Sequence, residues 1–155
     1  MDESEELTAL HPNHVKVLRL ATAIATIPFV IGSVVLEFAG LLPTGVFVAP
    51  VLLAAAFTIA RTPLRRYAVR GYVMGEDRLR VVRGLWFRSD TVVPFGRVQH
   101  IDVDQGPLER AYGLATLTLH TAGNHNASVA LPGLAEADAR AMRETIRARI
   151  GRDTM

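Results

Sequence analysis

From Leu20 to Ala60 the chain carries one formally charged side chain, Glu37, in 41 positions. Two runs make up most of this stretch, LATAIATIPFVIGSVVL (20–36) and TGVFVAPVLLAAAFTIA (44–60), joined by EFAGLLP. Neither run shows an apolar stripe at helical period with a polar face opposite it, so as a helix each would meet an apolar medium on every side. Each run is 17 residues long, about 26 Å as a helix against a hydrocarbon core of about 30 Å, and Phe38, Leu41 and Leu42 in the connection can lengthen either one. Pro28 and Pro50 are expected to kink the helices, which membrane helices tolerate when neighbours satisfy the freed carbonyls. The pattern predicts a two-helix membrane hairpin. A soluble buried hairpin would need a covering layer that the differently patterned remainder does not supply. A signal peptide does not explain a second apolar run that follows at once, and a pair of helices lying in the interface would need a polar face.

After Arg66 the pattern changes to alternation with period two, the signature of half-buried antiparallel strands. Tyr67, Val69, Gly71 and Val73 fall on one face of a first expected strand, Gly75 to Asp77 supply a turn, and Leu79 and Val81 point inward from a second strand. LWFRSDTVVP (85–94) reads as one bent or broken strand ending at Pro94. In RVQHIDVDQ (97–105) Val98 is out of phase with Ile101 and Val103, which a bulge near Gln99 or His100 would reconcile. Leu117, Leu119 and Thr121 share one face of the next strand, and Thr116, Thr118 and His120 the other. GNHNA (123–127) is turn chemistry, and SVALPG (128–133) is a short last strand. From Leu134 the period becomes helical, with Leu134, Ala137, Ala141, Thr145 and Ile150 on one side and Met142 and Ile146 beside them. The expectation is six or seven strands followed by one amphipathic helix.

Between two of those strands lies DQGPLERAYG (104–113). Gly106 is placed to cap, Pro107 suits a first helical position, and Leu108, Ala111 and Tyr112 then share a face. Gly113 is placed to end the turn in a left-handed conformation. A one-turn helix at a corner of the sheet is predicted. Glu109 and Arg110, adjacent in sequence, point to different neighbours.

Charge divides the chain unequally. Residues 1–60 hold two basic and five acidic groups, four of them at Asp2, Glu3, Glu5 and Glu6, whereas residues 61–155 hold 15 arginines, no lysine and 10 acids. Lys16 and Arg19 before the first run, and Arg61, Arg65 and Arg66 after the second, put both termini on the cytoplasmic side of the cell membrane. Those five residues are the candidate headgroup contacts. A basic module tethered there is drawn to anionic lipid by about 1 kcal/mol per basic group near the surface. Nucleic acid is not the expected partner, because the chain has no helix-turn-helix or zinc pattern and no aromatic platform among its arginines.

Catalytic chemistry is not visible. With no cysteine there is no thiolate nucleophile, disulfide framework or cysteine zinc site. No nucleophile-elbow serine or phosphate-binding loop occurs, and no cofactor is implied. His11 and His14 have a spacing that a metal could use on a helix, but Pro12 and the helix start favour a cap or an interface. His120 on a strand face and His125 in a turn have no carboxylate clearly placed to orient them. Asp102 and Asp104 alternate onto one strand face and read as a solvated face opposite Ile101 and Val103.

Three segments together resemble a known family: LHPNHVKVLRL (10–20), RRYAVRGYVMGEDRLRVVRGLWFRSDTVVPFGRVQHIDVDQGPLERAYGLATLTLHTAG (65–123) and LPGLAEADARAMRETI (131–146). They resemble the bacterial pleckstrin-homology-like membrane proteins, often called the YdbS-like group, and the run from Val93 to Gly123 is the specific part. The resemblance implies a membrane α-helical hairpin followed by an all-β or α+β pleckstrin-homology-like domain, a bent antiparallel sheet or partly open barrel capped by a C-terminal helix. The implied organisation is a cytoplasmic segment at 1–19, two transmembrane helices within 20–60 and a cytoplasmic domain at 61–152. Eukaryotic pleckstrin-homology domains that bind phosphoinositides use a basic loop between their first two strands; here that loop carries Glu76 and Asp77, so that function does not transfer. Arg70, Arg78 and Arg80 remain available to acidic surfaces.

The expected function is a non-enzymatic, membrane-anchored interaction module that assembles with itself or with a related membrane protein, with a role in envelope homeostasis or stress implied by the family alone. The alternative is a protein that binds anionic headgroups or amphiphiles. The candidate interaction motif is Arg97, Gln99, Gln105, Gly106, Pro107, Leu108, Glu109, Arg110 and Gly113.

Overall fold

The structure is a computed structural model that describes residues 7–40, 43–84, 87–122 and 128–153. The expected turn at 123–127 with His125, the acidic residues 2–6, Leu41, Leu42, and the Leu85–Trp86 start of the expected bent strand lie outside these residues.

The two apolar runs form the interiors of two longer helices, α1 (Asn13–Phe38) and α2 (Val48–Ala68), which pack against each other. With 26 and 21 residues they measure about 39 and 32 Å. The second helix starts later than the expected Thr44, and the reason is Glu37. Its carboxylate accepts the backbone N–H groups of Gly45, Phe47 and Val48, the last two at 3.3 Å. The one charge in the apolar stretch thus satisfies amides at the tip of the hairpin, where α2 has no intrahelical acceptors. Pro50 falls in the first turn of α2, where a missing N–H costs nothing, so it is not the kink expected from its place in the run. The proline inside the body of α2 is Pro63, which is buried.

At its other end α2 runs through Arg66 and Tyr67 to Ala68, so Tyr67 belongs to a helix and not to the expected first strand. Four alternating positions are too few to separate strand from helix, and the Leu64, Arg65, Arg66 and Ala68 around Tyr67 are good helix formers. The Tyr67 hydroxyl donates to the Leu10 carbonyl at 2.7 Å.

Two antiparallel sheets follow. The first has the order β1 (Thr8–Ala9), β2 (Gly71–Met74), β3 (Arg78–Arg83), β4 (Ser89–Pro94); the second runs β5 (Val98–Asp104), β6 (Leu114–Thr121), β7 (Ser128–Ala135). A 3-10 turn at Phe95–Arg97 connects them. Strand β1 is too short to show a period, and it pairs Thr8 with Tyr72 and Ala9 with Gly71. The segment before α1 is therefore stitched to the strand after α2. The expected bulge is present as a register shift between Val98 and His100.

Leu79, Val81, Val93 and Phe95 meet Leu117, Leu119, Val129 and Leu131 in one buried cluster, closed by Ala139, Met142 and Ile146 of the last helix, α4 (Glu136–Asp153). Each such side chain contributes about 1.5–3 kcal/mol when fully buried. The buried face of α4 is Ala139, Met142, Ile146 and, in part, Ile150, whereas Ala137, Ala141 and Thr145 are exposed. Leu134 belongs to β7, so the helical frame counted from it was set two residues too early. Arg149 near the end of α4 donates to the Gly75 and Glu76 carbonyls and lies 5.9 Å from the Phe95 ring, fastening the helix over the β2–β3 turn.

Candidate functional site

The corner at 105–113 forms as its sequence predicts. Helix α3 (Pro107–Ala111) follows Gly106, and Gly113 has φ +67°. Its polar side chains are largely used within the fold. Glu109 accepts the Gly106 N–H at 2.9 Å through one carboxylate oxygen and the Thr116 hydroxyl at 2.7 Å through the other. Gln105 donates to the Leu114 carbonyl at 2.7 Å. The Tyr112 carbonyl accepts from Asn13 at the start of α1, and the Gly113 carbonyl accepts the Glu136 N–H at the start of α4 at 3.1 Å. The corner therefore joins α1, β6 and α4. Leu108 is half-buried, Pro107 is exposed, and the Arg110 side chain faces solvent from the end of α3.

Arg97 and Gln99 lie at the far end of β5, both exposed. Here the structure brings together a second element. A groove of about 620 Å³ runs between β5 and α4, with Val98, Ile101 and Ile150 as apolar lining and Gln99, His100, Arg143 and Arg147 as polar lining. Strand β5 pairs with β6 alone among the described residues, so its other edge faces this groove side of the sheet without a strand partner. The interaction motif is thus split: Arg97 and Gln99 stand by the groove, and residues 105–113 stand at the opposite end of the same strand.

On the outer face of the second sheet His100 and His120 are directly cross-strand, with ring centroids 5.1 Å apart. Asp102 lies 3.1 Å from His120 Nε2 and 3.9 Å from His100 Nε2. A carboxylate does orient His120, contrary to the sequence reading, because the bulge after Val98 sets the register that a strand pattern cannot supply. Asp104 is exposed on the same strand. Among the described residues no three His, Asp or Glu side chains form a metal-holding group.

The helices meet the sheets at a third place. His11 Nδ1 accepts the Asn13 N–H at 3.2 Å, and the His11 N–H donates to the Gly133 carbonyl at 2.9 Å. His14 precedes Lys16 and Arg19 and so lies outside the apolar run; it is 3 % exposed, and Arg70 Nη1 stands 3.4 Å from its Nε2. Burial, then the Arg70 charge, lower its pKa from 6.5 to about 4, opposed by Glu109. Arg70 is likewise lowered, by burial and by the like charges of Arg66 and Arg83. Of the other arginines considered from sequence, Arg78 pairs with Asp77 at 3.0 Å and Arg80 makes a bidentate pair with Asp90 reaching 2.6 Å. Lys16, Arg19, Arg61, Arg65 and Arg66 are all exposed at the sheet-side ends of the two helices, Arg61 over the Phe57 ring at 5.8 Å. Sequence reading missed Arg83 and Arg88, which sit just at or beyond strand ends; their only signal is the recurrence of arginine at those ends, and it acquires meaning once the register is known.

Two apolar helices joined to a pair of antiparallel sheets capped by a helix define a membrane-associated protein with a pleckstrin-homology-like fold. The family model of the bacterial PH domain matches residues 15–150, and the chain belongs to that family, whose domain is generally non-catalytic. It is 33 % identical over 103 residues to the UPF0699 transmembrane protein YdbS of Bacillus subtilis (strain 168), a match covering 66 % of this chain and 63 % of that protein's length. A crystal structure of a DUF1696 family protein with a pleckstrin-homology domain from Shewanella loihica PV-4 superposes with a TM-score of 0.42 at 19 % identity, over 55 % of this chain and 74 % of that one.

Proposed function

We propose that this protein is a non-enzymatic membrane-anchored interaction module in which an extended segment of a second membrane protein, either another copy or a relative with the same domain, adds to the β5 edge. The observation that supports it is the pairing of an edge strand that has one strand neighbour among the described residues with an adjoining groove against α4. Strand addition draws affinity from main-chain hydrogen bonds and selectivity from pockets for alternate side chains. Val98, Ile101 and Ile150 supply apolar contact, and Arg143 and Arg147 favour an acidic segment. In this reading residues 20–60 span the inner membrane, both termini are cytoplasmic, and residues 61–152 form the docking domain.

The test is photocrosslinking from Gln99 in the full chain within membranes, with Ala137 on the exposed face of α4 as the control position. The expected product is a covalent dimer or an adduct with a protein of this family from Gln99 alone. Lipid adducts alone, no adduct, or equal products from both positions overturn the reading. The second function, binding of anionic headgroups or amphiphiles, is favoured by one observation, the exposed Lys16, Arg19, Arg61, Arg65 and Arg66 at the ends of the helices.

A further inference from the structure

The first sheet ends in a concentration of arginine that strand register creates. Gly71 pairs with Val82 and Arg83 pairs with Ser89, so Arg70, Arg83 and Arg88 come together at one end of β2, β3 and β4. Arg66, one turn earlier on α2, is close enough to shift Arg70. Arg70 and Arg88 line a groove of about 530 Å³ together with Leu7, Ala68, Val82 and Gly84. Arg70 and Arg83 line a smaller cleft beside it.

Among the described residues none of these four arginines forms an ion pair; the pairs use Arg78, Arg80, Arg140 and Arg143. Arg70, half-buried, faces the imidazole of His14. Asp90, the acid that responds to Arg88, has its carboxylate held by Arg80. Arg70 is shared by the two adjoining clefts, with Arg88 in the larger and Arg83 in the smaller. Such an arrangement of like charges is one that a multivalent anion completes, since guanidinium groups bind phosphate oxygens in directed, charge-assisted pairs.

Position selects the source of the anion. Arg66 lies six residues beyond Ala60, about 9 Å along the helix, close to the 5–8 Å depth of a headgroup layer on one leaflet. Phe57 and Leu64 are exposed apolar residues of α2, and Ala68, one turn beyond Leu64, lines the groove. This pocket is not the loop used by phosphoinositide-binding domains, which here is the acidic Gly75–Asp77 turn at the other end of β2 and β3.

We propose that Arg66, Arg70, Arg83 and Arg88 form a binding site for the phosphodiester headgroup of an anionic phospholipid, seated in the groove between the end of α2 and the end of the first sheet. The site rests on the membrane placement of α1 and α2 and is independent of docking at β5. It fixes how the domain sits on the bilayer: the lipid becomes a wedge between hairpin and sheet that holds the His14–Arg70 joint in place.

Native mass spectrometry of the full chain in detergent tests this, with phosphatidylglycerol, phosphatidylcholine and inorganic phosphate as probes. The expected result is selective retention of one phosphatidylglycerol, weakened roughly tenfold or more by Arg83→Gln/Arg88→Gln and measurably by Arg88→Gln alone, a change at an exposed side chain. Arg78→Gln/Arg140→Gln, which removes the same charge elsewhere, leaves retention unchanged. Equal loss in both double variants, equal retention of phosphatidylcholine, or complete displacement by excess inorganic phosphate overturns the proposal. So does retention that appears only after Asp2, Glu3, Glu5 and Glu6 are neutralised, because the chain's own acids would then be the occupant. A β5 variant that abolishes the Gln99 crosslink leaves lipid retention intact, so the two readings fail separately.

Discussion

Replacing Gly133 with alanine tests the joint between hairpin and sheets. Gly133 has φ +80°, and the left-handed region costs an L-residue about 1–2 kcal/mol. Space is the second term. A Cβ there would lie 2.5 Å from Cγ of His14, 2.7 Å from its Nδ1 and 2.9 Å from its Cδ2, where carbon atoms normally sit about 3.5–4.0 Å apart. Neither neighbour yields easily: the ring is 3 % exposed, and the Gly133 carbonyl holds the His11 N–H. Overpacking of this kind costs about 1–3 kcal/mol. The expected total is about 2–5 kcal/mol, or roughly 5–15 °C in melting temperature for a chain of this size. The assay is thermal melting of the full chain in detergent for Gly133→Ala, His14→Ala and the double variant. With the ring removed, the added cost of Gly133→Ala should fall to the backbone term of about 1–2 kcal/mol, and the difference is the coupling between the two residues. An equal cost in both backgrounds, or one below about 1 kcal/mol with His14 present, refutes the reasoning.

His14 also gives a pH dependence. Its folded pKa, about 4, lies below the ordinary 6.5, so the unfolded chain binds the proton more tightly. Stability from this group is complete above about pH 6.5 and declines as pH falls toward 4, by about 3 kcal/mol in all. Melting of wild type against His14→Asn should show a slope over that window in the wild type that the variant lacks; parallel curves would remove the assignment. On α4, Ala139→Asp should unfold the domain by placing a carboxylate in a site with 0 % exposure, a loss of several kcal/mol. Ala137→Asp, on the exposed side, should stay within about 0.5 kcal/mol of wild type by the same melting assay. The reverse order would mean that the helix packs through Ala137 and Ala141, and equal tolerance would mean that it does not pack through Ala139.

Much of the architecture was legible in the sequence because it depends on local pattern. The membrane-length helices follow from uninterrupted apolar runs, Leu79 and Val81 from alternation, and the 105–113 corner from the positions of Gly106, Pro107 and Gly113, each residue suited to one backbone conformation. The bulge near Gln99 was legible as a slip in phase between Val98 and Ile101. Errors arose where pattern was short or the frame was chosen from one residue. Tyr67 reads as strand, and counting from Leu134 centres the face of α4 on Ala137, Ala141 and Thr145, with Met142 and Ile146 at its margin, where the buried face is centred on Ala139, Met142 and Ile146.

Tertiary structure alone decided what the polar residues do. Asp102 reaches His120, Glu109 reaches Thr116, and Glu37 reaches back to the amides that begin α2, each through a register or chain reversal absent from local periodicity. Arg70, Arg83 and Arg88 are separated along the chain and become neighbours only when β2, β3 and β4 pair. A hydrophobic pattern determines which face is buried because burial is non-directional; a charged side chain acts through distance and direction to a partner, and those exist only after the chain has folded.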